Sequence, residues 1–275
     1  MTDFSKITYD DLDWAELWHN ARDIKGWSNK GAKEWDKKSE SFAVRNRDSV
    51  FASLLLPHLP LGPETSVLDI GCGPGTLALP IAKHCKTVTA LDFSAKMLQL
   101  LDQRAAEDNI KNIRTVQCAW EDDWQKARIT AHDITIAARS MGVEDLQGAI
   151  DKLQRYSKKH IFIADRISPT PFDPEVFRAL GRPFESGPDY IYTLNMLYSM
   201  GIHPETRIMQ LESEVTFANL DDALTSYSWM IKELQADEER KLRAYVEGIS
   251  RIDTDGSVTI KRDPPPRWVL IHWTK

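Results

Sequence analysis

The stretch SVLDIGCGPGTLALPIA, Ser66 to Ala82, decides the fold of this 275-residue chain. SVLDI (66–70) reads as a short buried strand, and TLALPIAKHC (76–85) as a helix. Between them stand Gly71, Gly73 and Gly75. Glycine reaches positive φ without strain and lets a ligand approach the backbone, at a cost in stability that a plain turn would not require. A glycine turn from strand to helix leaves free N–H groups beside a small molecule at the carboxyl end of the strand.

Outward from this corner the same alternation continues. TVTALD (87–92), IRTVQC (113–118), DITIAA (133–138) and KHIFIAD (159–165) read as strands, with helices in SAKMLQLLDQRAAED (94–108) and VEDLQGAIDKLQRYS (143–157). Near-continuous apolar strands separated by helices predict an α/β fold: a doubly wound, mostly parallel, seven-stranded sheet covered by helices on both faces.

The flanks differ. Residues 1–50 carry Trp14, Trp18, Trp27 and Trp35 in a helical pattern and predict an N-terminal helical cap. The remainder, 51–275, reads as one domain, with a cofactor-binding half (51–165) and substrate-side and closing elements (166–275). Prolines after Arg166 mark a surface connection or short inserted helix. YIYTLNMLYSMG (190–201) predicts a helix ending on glycine, TRIMQLESEVTF (206–217) a strand, and 220–250 a helical pair. PRWVLIHWT (266–274) reads as a closing strand, placed at an edge by Pro264, Pro265 and Pro266.

A formal charge of −6 without a basic stripe disfavours nucleic acid as a partner. The polar, acidic start lacks a signal-peptide pattern, and FASLLLPHLPL (51–61) is too short and proline-broken for a membrane span. Cys72, Cys85 and Cys118 form no C-x-x-C pair, so neither a disulfide framework nor a metal site is expected, and the cytoplasm is the expected compartment.

A dinucleotide fingerprint is G-x-G-x-x-G, whereas this chain reads G-x-G-x-G with Thr76 at the last expected position. Asp92 ends the next strand, where an acid accepts hydrogen bonds from ribose hydroxyls. Together these features predict a nucleoside with a free ribose.

VLDIGCGPGTLALPIA, VTALDFSAKML and CAWEDDW resemble successive motifs of class I S-adenosylmethionine-dependent methyltransferases, of the small-molecule type sharing LDxGCGxG. The likeness covers roughly residues 30–165; the C-terminal third matches in general layout only. The resemblance implies S-adenosylmethionine as cofactor, S-adenosylhomocysteine as product, and a small molecule as methyl acceptor. It places Gly71, Cys72, Gly73 and Gly75 against the methionine moiety, Asp69 at its ammonium, and Asp92 on the ribose. Phe93 and Met97 fall near the adenine, Ala119, Trp120 and Glu121 close over it, and Ala138, Arg139 and Ser140 line the passage to the methyl group. Trp35 resembles a tryptophan that often precedes the cofactor. Cys72 reads as a small filler, because no base partner accompanies it.

Methyl transfer is an in-line displacement for which orientation and desolvation suffice, so no general base is obligatory. The candidates for catalysis or acceptor binding are Arg139, for a carboxylate or phosphate, together with His19 (beside Trp18 and Trp27) and Tyr190. The absence of an Asn-Pro-Pro-Tyr-type tetrapeptide, where AARS stands, counts against base-amine methylation. A protein or RNA acceptor, a nicotinamide-dependent oxidoreductase and a non-catalytic cofactor-binding protein are the competing readings. A homodimer is compatible with all of them.

Overall fold

The computed structural model describes residues 6–24, 31–45 and 49–275. In chain order the elements are α1 (Trp14–Ile24), α2 (Ala32–Arg45), α3 (Val50–Leu55), β1 (Ser66–Ile70), α4 (Ala78–Ala82), β2 (Thr87–Asp92), α5 (Ala95–Glu107), β3 (Ile113–Gln117), β4 (His132–Ala138), α6 (Leu146–Arg155) and β5 (Ser157–Arg166). There follow α7 (Pro174–Leu180), α8 (Tyr190–Ser199), β6 (Glu205–Gln210), β7 (Glu214–Phe217), α9 (Leu220–Ser228), α10 (Ala236–Ile249), β8 (Ser250–Ile252), β9 (Val258–Lys261) and β10 (Arg267–Thr274).

Seven strands form one sheet in the order β3-β2-β1-β4-β5-β10-β6. β1 lies between β2 and β4, parallel to both, with Asp69 level with Ala90 on one side and Ile136 on the other. β3 and β5 extend the parallel array. Apolar residues run almost unbroken through β1, β2 and β4 because helices cover both faces, so there is no wet side to receive polar alternation. The strand order reverses between β1 and β4, which places a crevice at their carboxyl ends.

Local chemistry fixes the helices around that crevice. Ser94 caps α5, its Oγ accepting the Met97 amide at 3.1 Å, and Asp145 caps α6 through the Gly148 amide at 2.8 Å. α2 packs on α5, and α1 on α8 and α6.

The chain divides into two compact units. The first comprises Met1–Asp165, Gly187–Met209 and Val269–Lys275. The second comprises Arg166–Ser186 and Gln210–Trp268. This second unit has an antiparallel sheet, β7-β9-β8, with α7, α9 and α10. Its core is Val176, Leu180, Phe217, Tyr227, Leu242, Val246 and Ile260.

Two sequence expectations are corrected. The strand expected over 206–217 breaks at 211–213 into β6 and β7, which serve different sheets. β10 lies inside the large sheet, between β5 and β6, and not at its edge. All three prolines precede its first residue, Arg267, so no missing N–H falls within the ladder.

Candidate functional site

Gly71, Gly73 and Gly75 adopt φ values of +69°, +53° and +84°. A side chain at any of them is strained by the backbone alone. At Gly71 it would also collide with Ser140, whose Cβ lies 2.4 Å from the place a Gly71 Cβ would occupy. At Gly75 it would meet Leu79 and Leu101. At Gly73 it would meet, among the described residues, Phe42 at the ordinary contact distance of 3.9 Å, so the middle glycine is the least crowded of the three.

The loop is anchored to β2. The Gly71 and Cys72 amides donate to the Leu91 carbonyl at 2.8 and 2.9 Å. The Gly73 amide donates to Asp92 Oδ2 at 2.8 Å, and the Ser94 amide to Asp92 Oδ1 at 2.8 Å. Two backbone donors thereby fix the plane of the Asp92 carboxylate. Ser94 Oγ in turn donates to Asp36 Oδ1 of α2 at 2.5 Å.

Asp69 is 2% exposed, and its Oδ2 has no hydrogen-bond partner among the described residues. Burial, and the charge of Asp92, push its pKa up to about 7, against the pull of the Ala78 amide and Arg139. Asp92 is also shifted upward, chiefly by burial. Thr76, buried at the end of the loop, has a second oxygen without a partner among the described residues. Buried oxygens without partners among the described residues, beside the least crowded glycine of the loop, call for a ligand with donors.

Arg139 follows β4 with φ +58°, its amide donating to the Ala164 carbonyl at 2.8 Å. Its guanidinium lies 4.5 Å from the centre of the Phe51 ring and 5.7 Å from that of Phe42. Desolvation lowers its pKa to about 10, opposed by Asp69. The corner thus gathers the carboxylates of Asp36, Asp69 and Asp92, with the guanidinium of Arg139 beside Asp69 and that of Arg104 on the Pro74 carbonyl at 2.9 Å.

The CAWEDDW loop is closed on itself. Asp122 Oδ2 accepts the Ala119 amide at 2.8 Å, and Trp124 Nε1 donates to the Ala119 carbonyl at 2.9 Å. Trp120 Nε1 donates to the Ser140 carbonyl at 3.0 Å, and its ring tilts against Trp124 at 5.5 Å. Ser140 Oγ reaches the Ile70 carbonyl at 2.7 Å. Glycine loop, 119–124 loop and post-β4 turn therefore form one hydrogen-bonded assembly.

The other expected residues are placed as follows. Cys72 is buried, and burial and the neighbouring carboxylates raise its pKa well above the ordinary thiol value, which leaves no thiolate nucleophile. The Phe93 carbonyl accepts from Gln117 Nε2 at 3.3 Å. Met97 is 2% exposed within the α5 core, Ala138 ends β4, and the Glu121 side chain is exposed. Trp35 packs edge-on to Phe42 at 5.8 Å. His19 pairs with Asp23 on the outer face of α1, with its side chain 54% exposed. Trp18 Nε1 donates to the Val143 and Glu144 carbonyls, both at 3.1 Å. Trp27 lies outside the described residues. Tyr190 opens α8, and Tyr192 faces Trp14 and Trp18. The sequence reading missed Asp36, Phe42, Phe51, Ser94 and Lys152. A serine before a helical run signals the cap at Ser94, but nothing in the sequence signals that Phe42 and Phe51 flank Arg139.

The chain is similar to several known proteins. A methyltransferase domain family matches residues 67–160. An uncharacterized protein of Haemophilus influenzae is 32% identical over 97% of this chain and 98% of its own length. A probable cobalt-precorrin-6B C(15)-methyltransferase of Methanocaldococcus jannaschii is 30% identical over 38% of this chain and 53% of its own length. The solved structure of an S-adenosylmethionine-dependent methyltransferase from Aquifex aeolicus superposes with a TM-score of 0.51 at 16% identity, covering 66% of this chain and 94% of that one. The chain thus contains a methyltransferase domain of the class I S-adenosylmethionine-dependent type, whose cofactor is S-adenosylmethionine. Among the described residues no helix is long and apolar enough to cross a membrane, and no cluster of three His, Cys, Asp or Glu is arranged to hold a metal ion.

Proposed function

We propose that this methyltransferase acts on a small-molecule acceptor held at the carboxyl ends of β1 and β4. The observation that carries the reading is the cover over this crevice. α2 comes over the glycine loop through Asp36 on Ser94, and Phe42 reaches both Gly73 and Arg139. A crevice roofed in this way suits a small acceptor better than a folded polymer, and the net negative charge points the same way. The Methanocaldococcus relative, named for a cobalt-precorrin, adds a small-molecule precedent.

The chain's residues take these roles in the reading. Asp92, oriented by Gly73 and Ser94, accepts the ribose hydroxyls. Asp69, whose Oδ2 has no partner among the described residues, accepts the ammonium, and the methionine moiety lies against the glycine loop at Gly73. The backbone of Ala119–Glu121 meets the adenine. Bound S-adenosylmethionine supplies an activated methyl group on a sulfonium leaving group. The aromatic walls and buried helices exclude water, and acceptor alignment supplies most of the rate. Arg139, at the end of β4 beside Asp69, serves as the anchor for an anionic group on the acceptor.

Calorimetric titration with S-adenosylhomocysteine and NAD, side by side, tests the cofactor assignment in this chain. Binding of NAD alone would remove it. Methyl transfer from labelled S-adenosylmethionine into a protein-free, nucleic-acid-free metabolite extract tests the acceptor class. Label found only in RNA or protein, in matched extracts, would replace the small molecule by a macromolecule.

A further inference from the structure

We propose that Lys152 is a positioning residue for cofactor recognition, acting from α6 through the loop that meets the adenine. The inference rests on the assignment of Ala119–Glu121 to that ring. Lys152 Nζ donates to the Trp120 carbonyl and, at 2.8 Å, to the Asp122 carbonyl. It also stands 5.1 Å from the centre of the Trp124 ring. One ammonium thus holds two successive corners of a loop without regular structure, over an indole whose negative face favours a cation.

The consequence follows from what these carbonyls are attached to. Recognition of adenine by this loop uses backbone polar groups and the orientation of Trp120. The Trp120 carbonyl lies in the peptide plane that joins Trp120 to Glu121, and the Asp122 carbonyl in the plane that joins Asp122 to Asp123, so tying both fixes the backbone on each side of the Glu121–Asp122 step. The opposite end of Trp120 is tied as well, its indole N–H bound to the Ser140 carbonyl and Ser140 Oγ bound to the Ile70 carbonyl. Lys152 therefore closes a chain of contacts that runs from α6 through the adenine loop to the glycine loop. Removing its donors frees the Trp120 and Asp122 carbonyls to rotate, while Trp124 stays buried and the protein keeps its core.

The test compares the wild-type protein with Lys152→Met, which keeps the stem, and Lys152→Arg, which keeps the charge and its donors. Dissociation constants are measured for S-adenosylhomocysteine and for S-inosylhomocysteine, in which a carbonyl replaces the exocyclic amine. Lys152→Met should weaken S-adenosylhomocysteine binding by about tenfold or more, the span of a charge-assisted hydrogen bond. It should also erode the preference for adenine over hypoxanthine, and Lys152→Arg should restore part of both. Unchanged affinity in Lys152→Met, or an equal loss for the two ligands, would overturn the proposal. A wild-type chain that binds neither nucleoside would instead refute the cofactor reading beneath it.

Discussion

The backbone amide of Gly73 donates to Oδ2 of Asp92 at 2.8 Å, so the glycine loop and the acid that ends β2 are one unit. The Ser94 amide holds the other oxygen at the same distance. An oriented carboxylate costs less to engage than a rotating one, because its ordering is already complete before a ligand arrives.

Asp92→Ala should weaken S-adenosylhomocysteine binding by about 1–3 kcal/mol, the range for a buried hydrogen bond left unmade. Calorimetry measures it directly, and an unchanged affinity would show that the ribose lies elsewhere.

Gly71→Ala should destabilise the fold by about 1–3 kcal/mol from the left-handed backbone alone, with a further loss from the clash with Ser140. Ser140→Gly in the same chain should recover the clash and leave the backbone strain. Urea denaturation of the single and double variants reads the difference as a coupling energy. Strictly additive effects would contradict the 2.4 Å approach.

Asp69 titrates at about 7 in the folded chain and near 3.9 when unfolded, so between these values the folded state holds the extra proton. Its contribution to stability therefore falls as pH rises from about 4 to about 7. Asp69→Asn should remove that part of the slope in urea midpoints. Because an ammonium prefers the ionised carboxylate, binding of S-adenosylhomocysteine at pH 6 should release protons. Titrations in buffers of different ionisation enthalpy measure the release, and a proton count of zero would sink the ammonium assignment.

In the second unit Arg182 Nε and Nη2 each donate to Glu238 at 2.6 Å, and the pair holds the Glu238 pKa at about 2. A depressed acid stabilises above its unfolded value and loses that contribution as pH falls toward 2. Wild type should thus lose more stability than Glu238→Gln between pH 5 and 2.5, as read from urea midpoints. Parallel curves would show that the pair has no net effect.

Much of the first unit was legible in the sequence because its signals are local. A buried parallel strand must be continuously apolar, and SVLDI, TVTALD and DITIAA are. Glycines at 71, 73 and 75 have few uses other than the positive φ they adopt. The second unit was hidden for the opposite reason. β8 and β9 span three and four residues and gain their identity only by pairing with each other and with β7, a short strand whose sequence runs on from β6.

The sequence by itself determined the strand–glycine–helix corner, the acid after it and the class of fold, since each follows from backbone sterics and side-chain period along a few residues. Only the tertiary structure decided that β10 lies inside the sheet. Folding likewise brought Asp36 to Ser94, set Arg139 between Phe42 and Phe51, and carried Lys152 to the adenine loop. These pairings join residues up to 97 positions apart, as in Arg139 and Phe42. Which side chains meet at such separations is fixed by how helices dock on a sheet, and no local pattern of residues encodes it.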